Sequence, residues 1–578
     1  MKARPHRGVR RRIISRVLTC LASLAVIAAM PGGCRKSKPT EVTELESVAE
    51  VWFEDVAVES GITFVHVSGH RVRHLFPESV VGGGAMFDYD RDGDLDVYVV
   101  QCGTVEQGVK SRAGNKLYRN EGNGTFVDVT TEARVGDLRC GMGCTCADYD
   151  SDGDVDLYVS NYGSNVLYRN DGDGTFSDVT AQAGVGDPSY SASSGFIDYD
   201  RDGRLDLFVV NYVHWSPERE IDCFNAAGEL NYCKPTNYQA PARDTVYHNL
   251  GNGKFEEVSR SVGIGTVFGN GLGLAWADFN MDGWMDVFVA NDATPNQLWI
   301  NTTKGGFVDE ALIAGCSLNA HGMTEAGMGV IALDIENDGD VDLFMGHLRA
   351  ESNTLYKYQD GWFEDATSVV GLEAPSFAFT TFGLGFADFD HDGYLDLYTA
   401  NGAIISPEKP YDPSDSFAEP NLLYRGLGND RFEEITPRGG TRELLVATSR
   451  GASFGDMDND GDIDVLVVNK DARPHLLRNV ADKRGGWIMF SVLDNHGSEA
   501  LGATVRVDVG QRRQWRLVQA TYSYCSSNDP RVHFGLGDAG RVDAVSVRWP
   551  DGKEESFGGF AASAVHTLRR GGGNKRQE

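Results

Sequence analysis

Carboxylates recur along this chain at a spacing that suits cation binding. Asp88, Asp90, Asp92, Asp94 and Asp96 alternate across nine residues, with Gly93 at the sixth place. The pattern returns as Asp148, Asp150, Asp152, Asp154 and Asp156, and as Asp198, Asp200, Asp202, Arg204 and Asp206. It returns again as Asp278, Asn280, Asp282, Trp284 and Asp286, and as Asp334, Glu336, Asp338, Asp340 and Asp342. The last two copies are Asp388, Asp390, Asp392, Tyr394 and Asp396, and Asp456, Asp458, Asp460, Asp462 and Asp464. Carboxylates this close repel one another unless a cation sits among them. Crowded oxygen ligands favour calcium, which accepts about six to eight oxygens in flexible geometry. Positions 1, 3, 5 and 9 would give side-chain oxygens and position 7 its backbone carbonyl, so Arg204, Trp284 and Tyr394 are tolerable there. Asn280 and Glu336 keep an oxygen. An EF-hand needs a Glu at the twelfth place, on a helix; in the first copy that place is Val99, in a β-rich run. The expectation is about one calcium per repeat.

These loops need elements to hold them. Their starts lie 60, 50, 80, 56, 54 and 68 residues apart, which describes one unit with variable insertions. Each is preceded by a small or apolar run such as Gly82–Phe87, and followed by one such as Leu95–Val100. Strands flanking a tight acidic turn make a hairpin. A second signature, Leu117-Tyr-Arg-Asn120 followed by Phe126–Thr130, adds two more strands across a Gly turn. Four strands per repeat predict the blade of an all-β propeller, here with seven blades. The Phe-x-Asp-Val-Thr type strand follows only the first six units, and Phe53–Ala57 supplies the seventh copy at the front of the chain. That strand is therefore expected to close the ring by completing the last blade, leaving no open edge.

The formal charge of -31 disfavours nucleic acid and anionic surfaces as partners. Residues 1–33 read as a signal peptide: a basic start, an apolar stretch from Val17 to Met30, then Pro31-Gly-Gly-Cys34. The small residues before Cys34 resemble a bacterial lipobox, so Cys34 is the expected lipidation site, with residues 34–50 as a tether. Secretion without an anchor is the main alternative, and an uncleaved anchor the third. Loss of residues 1–33 takes away seven positive charges and no negative ones, moving the charge from -31 to -38. In an exported protein disulfides are the default. A Cys223–Cys233 bridge would staple the long insertion Tyr212–Thr245, and Cys102 is expected to pair with a partner the sequence does not identify. Cys140, Cys144 and Cys146 lack zinc-knuckle spacing.

The acidic loops and their flanks resemble the FG-GAP/VCBS repeats of integrin-type propellers over roughly residues 51–480. That resemblance implies calcium bound structurally. Residues 481–570, with His533-Phe-Gly-Leu-Gly537 and Arg548-Trp-Pro-Asp-Gly552, are similar to the ASPIC/UnbV domain. That domain follows such propellers in bacterial surface proteins and in animal cartilage acidic proteins. It is read as a small β-sandwich-like module with a polar tail at 571–578. The family's Gly-Tyr-x-Ser-Gln segment is replaced here by Tyr522-Ser-Tyr-Cys525-Ser-Ser-Asn528.

Two functional classes follow. The favoured one is a monomeric, exported or envelope-anchored binding or adhesion module. Its loops and third-blade insertion would face an extracellular protein or a glycan. The alternative is a polysaccharide lyase or hydrolase, with Tyr212, Trp215, Tyr232 and Tyr238 as exposed sugar platforms. A central group of paired carboxylates or Lys, Arg and Tyr would favour the enzyme. His66, His70 and His74 are spaced by four, but Gly69 and the β-rich surroundings speak against a helix, so no metal is assigned to them. His391 is expected to point to solvent.

Overall fold

The computed structural model describes residues 50–105, 113–303 and 305–575. The signal peptide, nearly all of the tether and Cys34 lie outside the described residues, as do 106–112, 304 and 576–578.

Among the described residues, seven four-stranded antiparallel sheets carry the acidic loops. The first sheet runs Gly84–Phe87, Asp96–Val99, Lys116–Asn120 and Phe126–Asp128, and its loop joins the first two strands. The inner strand of each sheet packs on the inner strand of the next. In order these are Gly84–Phe87, Cys140–Ala147, Ser191–Ile197, Gly271–Ala277, Val330–Leu333, Thr381–Ala387 and Ser449–Gly455. The last of these packs back on the first, so the ring is closed in the manner of a propeller. The seventh sheet takes its outer strand from the front of the chain: Phe53–Asp55 pairs antiparallel with His475–Asn479. Closure is thus made as the repeat count predicts, and it hides an edge that would otherwise recruit other strands.

Small residues on the inner strands allow close approach. A Cβ on Gly273 would lie 2.0 Å from the Met328 carbonyl of the next sheet, where no side chain fits. Between sheets the core is aliphatic and aromatic, as in the fully buried set Val97, Tyr98, Leu117, Leu157 and Val159.

Past Asn479 the chain builds a two-stranded ribbon, Arg541–Val542 with Phe560–Ala561, and two larger sheets around one core that includes Ile488, Phe490, Val505, Val547 and Trp549. One has five strands and the other three, the latter containing Gly486–Leu493 and Val532–Gly537. Between these two strands the chain leaves the module and enters the ring. Ser523 bridges to Val330 and Ser527 to Ala85. Cys144 N donates to the Cys525 carbonyl, and Leu384 N to Ser523 Oγ at 3.0 Å. Tyr524 is fully buried, donates to the Val80 carbonyl at 2.6 Å and meets the Phe382 ring edge-on. The segment 521–528 therefore fills the middle of the ring. Nothing in its composition announces that role.

Among the described residues two disulfides are formed, Cys223–Cys233 and Cys102–Cys140. The second supplies the partner of Cys102, which requires the end of sheet one to meet the start of sheet two. Cys144, Cys146, Cys316 and Cys525 are free and buried.

Candidate metal centres

Each acidic loop is held by its own ninth residue. Asp96 is completely buried; its Oδ2 accepts from Tyr89 N at 3.0 Å and its Oδ1 from Asn120 N at 2.8 Å. Asp156, Asp286, Asp342, Asp396 and Asp464 make the same pair of bonds, tying the loop to the third strand. In loop three, Asp206 receives Asn249 N and the His248 ring. Position 1 accepts from the glycine at position 6, as Asp88 Oδ2 does from Gly93 N at 3.0 Å. Position 5 accepts from position 7, as Asp92 Oδ1 does from Asp94 N at 2.9 Å. Position 4 is left-handed in all seven loops (Arg91, Ser151, Arg201, Met281, Asn337, His391, Asn459). The turn is thus made by residues 4 and 6 together, and it gathers the carboxylates of positions 1, 3 and 9.

What remains free after these bonds fits a hard cation. In loop one, Asp88, Asp90 and Asp96 bring ligand oxygens within 4.8 Å of one another, and Asp148, Asp150 and Asp156, and Asp198, Asp200 and Asp206, do likewise. Asp88 Oδ1, Asp90 Oδ1, Asp206 Oδ2, Asp278 Oδ1, Glu336 Oε2 and Asp340 Oδ1 are buried without a hydrogen-bond partner. Unpaired buried carboxylate oxygens are costly. Burial pushes Asp96 up to about 8, opposed by its backbone bonds, and Asp206 up to about 9 for the same reason. A calcium ion would be held by positions 1, 3, 5 and 9, neutralising the carboxylates and fixing the loop.

The loops are not equivalent. In loop three the Arg204 guanidinium turns back onto Asp202 and donates to the Asn249 carbonyl, while His248 Nδ1 stands 3.4 Å from Asp200. In loop five Lys357 reaches Glu336 at 3.1 Å, and in loop six Arg484 reaches Asp390 at 3.1 Å. These cations compete with a metal for the same oxygens. Asn280 in loop four points its amide at Asp282.

Position 7 side chains have a second use that the sequence does not reveal. They meet position 4 of the preceding loop: Asp154 meets Arg91 at 3.1 Å, Trp284 lies under Arg201, and Asp94 accepts from Asn459 at 2.7 Å. Asp462 likewise stands 3.2 Å from His391 Nε2. The expectation that His391 faces solvent is therefore wrong. It is buried, with its ring 5.1 Å from that of His533.

The C-terminal module is seated on this same side of the ring. Ser498 bonds Asp148, Arg548 approaches Asp278 at 3.4 Å, Arg516 donates to Asn337, and Arg531 donates to the Asp456 carbonyl. Gly535 approaches Asp388 so closely that a Cβ would lie 1.7 Å from its carboxylate. The module thus contacts loops two, four, five, six and seven, while Asp92, Asp202 and Asp282 stay exposed, so this side is less open to a partner than the sequence reading expects. The aromatic platform also fails. Tyr212, Trp215, Tyr232 and Tyr238 are buried, and the Tyr212 and Tyr238 hydroxyls bond Asp292 and Glu220 at 2.5 and 2.6 Å.

A profile described as FG-GAP-like repeat matches residues 88–159, 148–209, 236–289, 278–345 and 334–399, and one described as ASPIC and UnbV matches 494–575. The chain is an FG-GAP repeat protein with a C-terminal ASPIC and UnbV domain. The seventh FG-GAP loop, Asp456–Asp464, lies outside the matched stretches yet has the same staple and the same turn. Curated relatives include Cartilage acidic protein 1 of Mus musculus, 26% identical over 53% of this chain and 38% of its own. The Xenopus tropicalis protein of that name is 24% identical over 57% of this chain and 40% of its own. This FG-GAP chain spans less than half the length of the relatives it matches. Among solved structures, it is similar to the BP39L lectin of Burkholderia pseudomallei (TM-score 0.41, 9% identity, 70% of this chain and 96% of that one). It is also similar to an Agrocybe aegerita lectin (TM-score 0.38, 15% identity, 63% and 82%).

Proposed function

We propose that this FG-GAP protein is an extracellular binding module, made rigid by calcium in its acidic loops, that meets a protein or glycan with the end of the ring opposite those loops. The carrying observation is the third-sheet insertion at that end. Its Cys223–Cys233 bridge staples a hairpin that holds Ile221, Phe224 and Leu230 exposed, Phe224 at 61%. The neighbouring turn is tied to it through Arg73 and Asp222 at 2.8 Å and presents Val72, 83% exposed. Exposed apolar groups on a braced scaffold suit contact with a partner. The two disulfides and the relatives named Cartilage acidic protein 1 support a location outside the reducing cytoplasm. Anchoring through Cys34 remains part of this proposal. It is tested by Cys34→Ser, which should release the protein from membranes.

Binding is favoured over catalysis because the middle of the ring is filled by 521–528 and the carboxylates near it are internally satisfied. Glu220, for example, accepts from Phe76 N, Trp215 Nε1 and Tyr238. The test is a screen of the full chain against glycan arrays and extracellular proteins, with and without calcium. A hit should weaken in a Phe224→Ser, Leu230→Ser variant; undiminished capture would place the binding face elsewhere.

A further inference from the structure

At the end of the ring away from the acidic loops, three ligand-type side chains converge from one short stretch. Gly69 takes a left-handed turn (φ +83°), and a Cβ there would lie 2.8 Å from the Gly103 carbonyl. The turn brings His70 back over His74, with the rings stacked at 4.6 Å. One turn of 3-10 helix, Phe76–Ser79, then raises Glu78 beneath them. His70 Nδ1 is 2.9 Å from Glu78 Oε2, and the ligand atoms of His70, His74 and Glu78 all lie within 4.8 Å of one another. His66 is not part of the group: its Nδ1 accepts from Asp471 N at 3.2 Å, and it is buried elsewhere.

We propose that His70, His74 and Glu78 form a site for one divalent transition-metal ion of zinc-like preference, separate from the acidic loops. Two imidazoles and one carboxylate are a borderline set that suits zinc, copper or nickel over calcium. Tetrahedral ligands at about 2.0–2.2 Å stand about 3.3 Å apart, so only side-chain adjustment is needed. The state of His74 supports the assignment. Its Nδ1 is buried without a hydrogen-bond partner. A buried imidazole nitrogen without a hydrogen-bond partner is a donor atom left available to a metal.

The surroundings brace the ligands. Tyr232, beside the bridged Cys233, packs its ring at a tilt against His74 at 4.6 Å and brings its hydroxyl within 3.4 Å of Glu78. Neighbouring cations are already paired: Lys470 with Asp471 at 2.8 Å, and Arg73 with Asp222. Glu78 is buried and His70 is exposed, so the fourth coordination position faces outward, open to water or to a partner's donor. The site is independent of whether the loops hold calcium.

The test uses the full chain in excess calcium, titrated with Zn2+ by calorimetry and with Co2+ by absorption. One equivalent should bind, and Co2+ should show tetrahedral d–d bands without thiolate charge transfer, which sets aside the free cysteines. His70→Ala, at an exposed position where an unchanged circular dichroism spectrum certifies the fold, should weaken Zn2+ by about ten-fold or more. Glu78→Gln should do the same. Absence of stoichiometric binding, a thiolate band, or affinity in His70→Ala and His74→Ala equal to the parent's would each overturn the site.

Discussion

Asn120 of the first sheet donates its side-chain amide to the carbonyl of Met457 in the seventh loop at 2.7 Å, across 337 residues of sequence. The same amide also reaches the Leu95 carbonyl of its own loop at 3.1 Å. Asn170 to Tyr89, Asn249 to Tyr149, Asn301 to Tyr199 and Asn479 to Phe389 repeat the inter-sheet bond. In the fifth and sixth sheets the place is Tyr358 and Gly426, which have no amide to give. The Asn that ends each Leu-Tyr-Arg-Asn strand is thus a clamp between neighbouring sheets.

Replacing Asn120 or Asn301 by Ala leaves two carbonyls without their donor. Each variant should lose about 1–3 kcal/mol, read as a fall in thermal midpoint. A midpoint equal to the parent's would show that water or a small shift replaces the clamp.

If calcium holds the loops, chelation should lower the melting temperature and re-addition should restore it. One site at a hundred-fold excess over its dissociation constant contributes about 2.7 kcal/mol. Loops one and two should dominate, since the Arg204, Lys357 and Arg484 side chains compete in loops three, five and six and Arg548 approaches Asp278 in loop four. Identical melts with and without chelator would remove calcium from the account.

Gly535→Ala should disturb the seat of the C-terminal module on loop six, at about 1–3 kcal/mol. Gly540→Ala, where an added Cβ meets nothing within 4 Å, is the control in the same module. Limited proteolysis should cut the module faster in the first variant only. Equal cutting rates would mean that the contact at Asp388 relaxes freely.

His347 is buried; its Nδ1 donates to the Ser352 carbonyl at 2.9 Å, and burial lowers its pKa from 6.5 to about 4. The unfolded chain takes up the proton first, so stability is complete above 6.5 and declines as pH falls towards about 4. The full contribution is on the order of 3 kcal/mol. Urea midpoints taken across that window should decline less steeply in His347→Asn. Parallel profiles would exclude this histidine as a source of acid sensitivity.

The repeated features of this chain were open to a reading from sequence. The acidic loops, the closing strand at Phe53 and the Cys223–Cys233 staple each follow from a local pattern or from a count. The unread features arise where distant parts meet. His70, His74 and Glu78 come together through the Gly69 reversal and a single helical turn, so their spacing in sequence mimics a helix that does not exist. The contacts of Arg91 with Asp154 and of His391 with Asp462 come from ring geometry. The 521–528 segment carries no periodicity, and the identity of its neighbours depends on the assembled ring.

That segment and the closing strand together constrain how the chain reaches its native state. Asp55 meets His475 420 residues later, and Tyr524 contacts residues of the first and sixth sheets. The middle sheets can form early from local hairpins, but the first strand waits for the last sheet, and the channel waits for a stretch made later still. Long-range pairings of this kind fold slowly and leave strand edges exposed meanwhile. The ring must either form around 521–528 or open to admit it. Completing the native ring therefore depends on contacts from both ends of the described chain, and an FG-GAP ring cut off after Asn479 would lack those of 521–528.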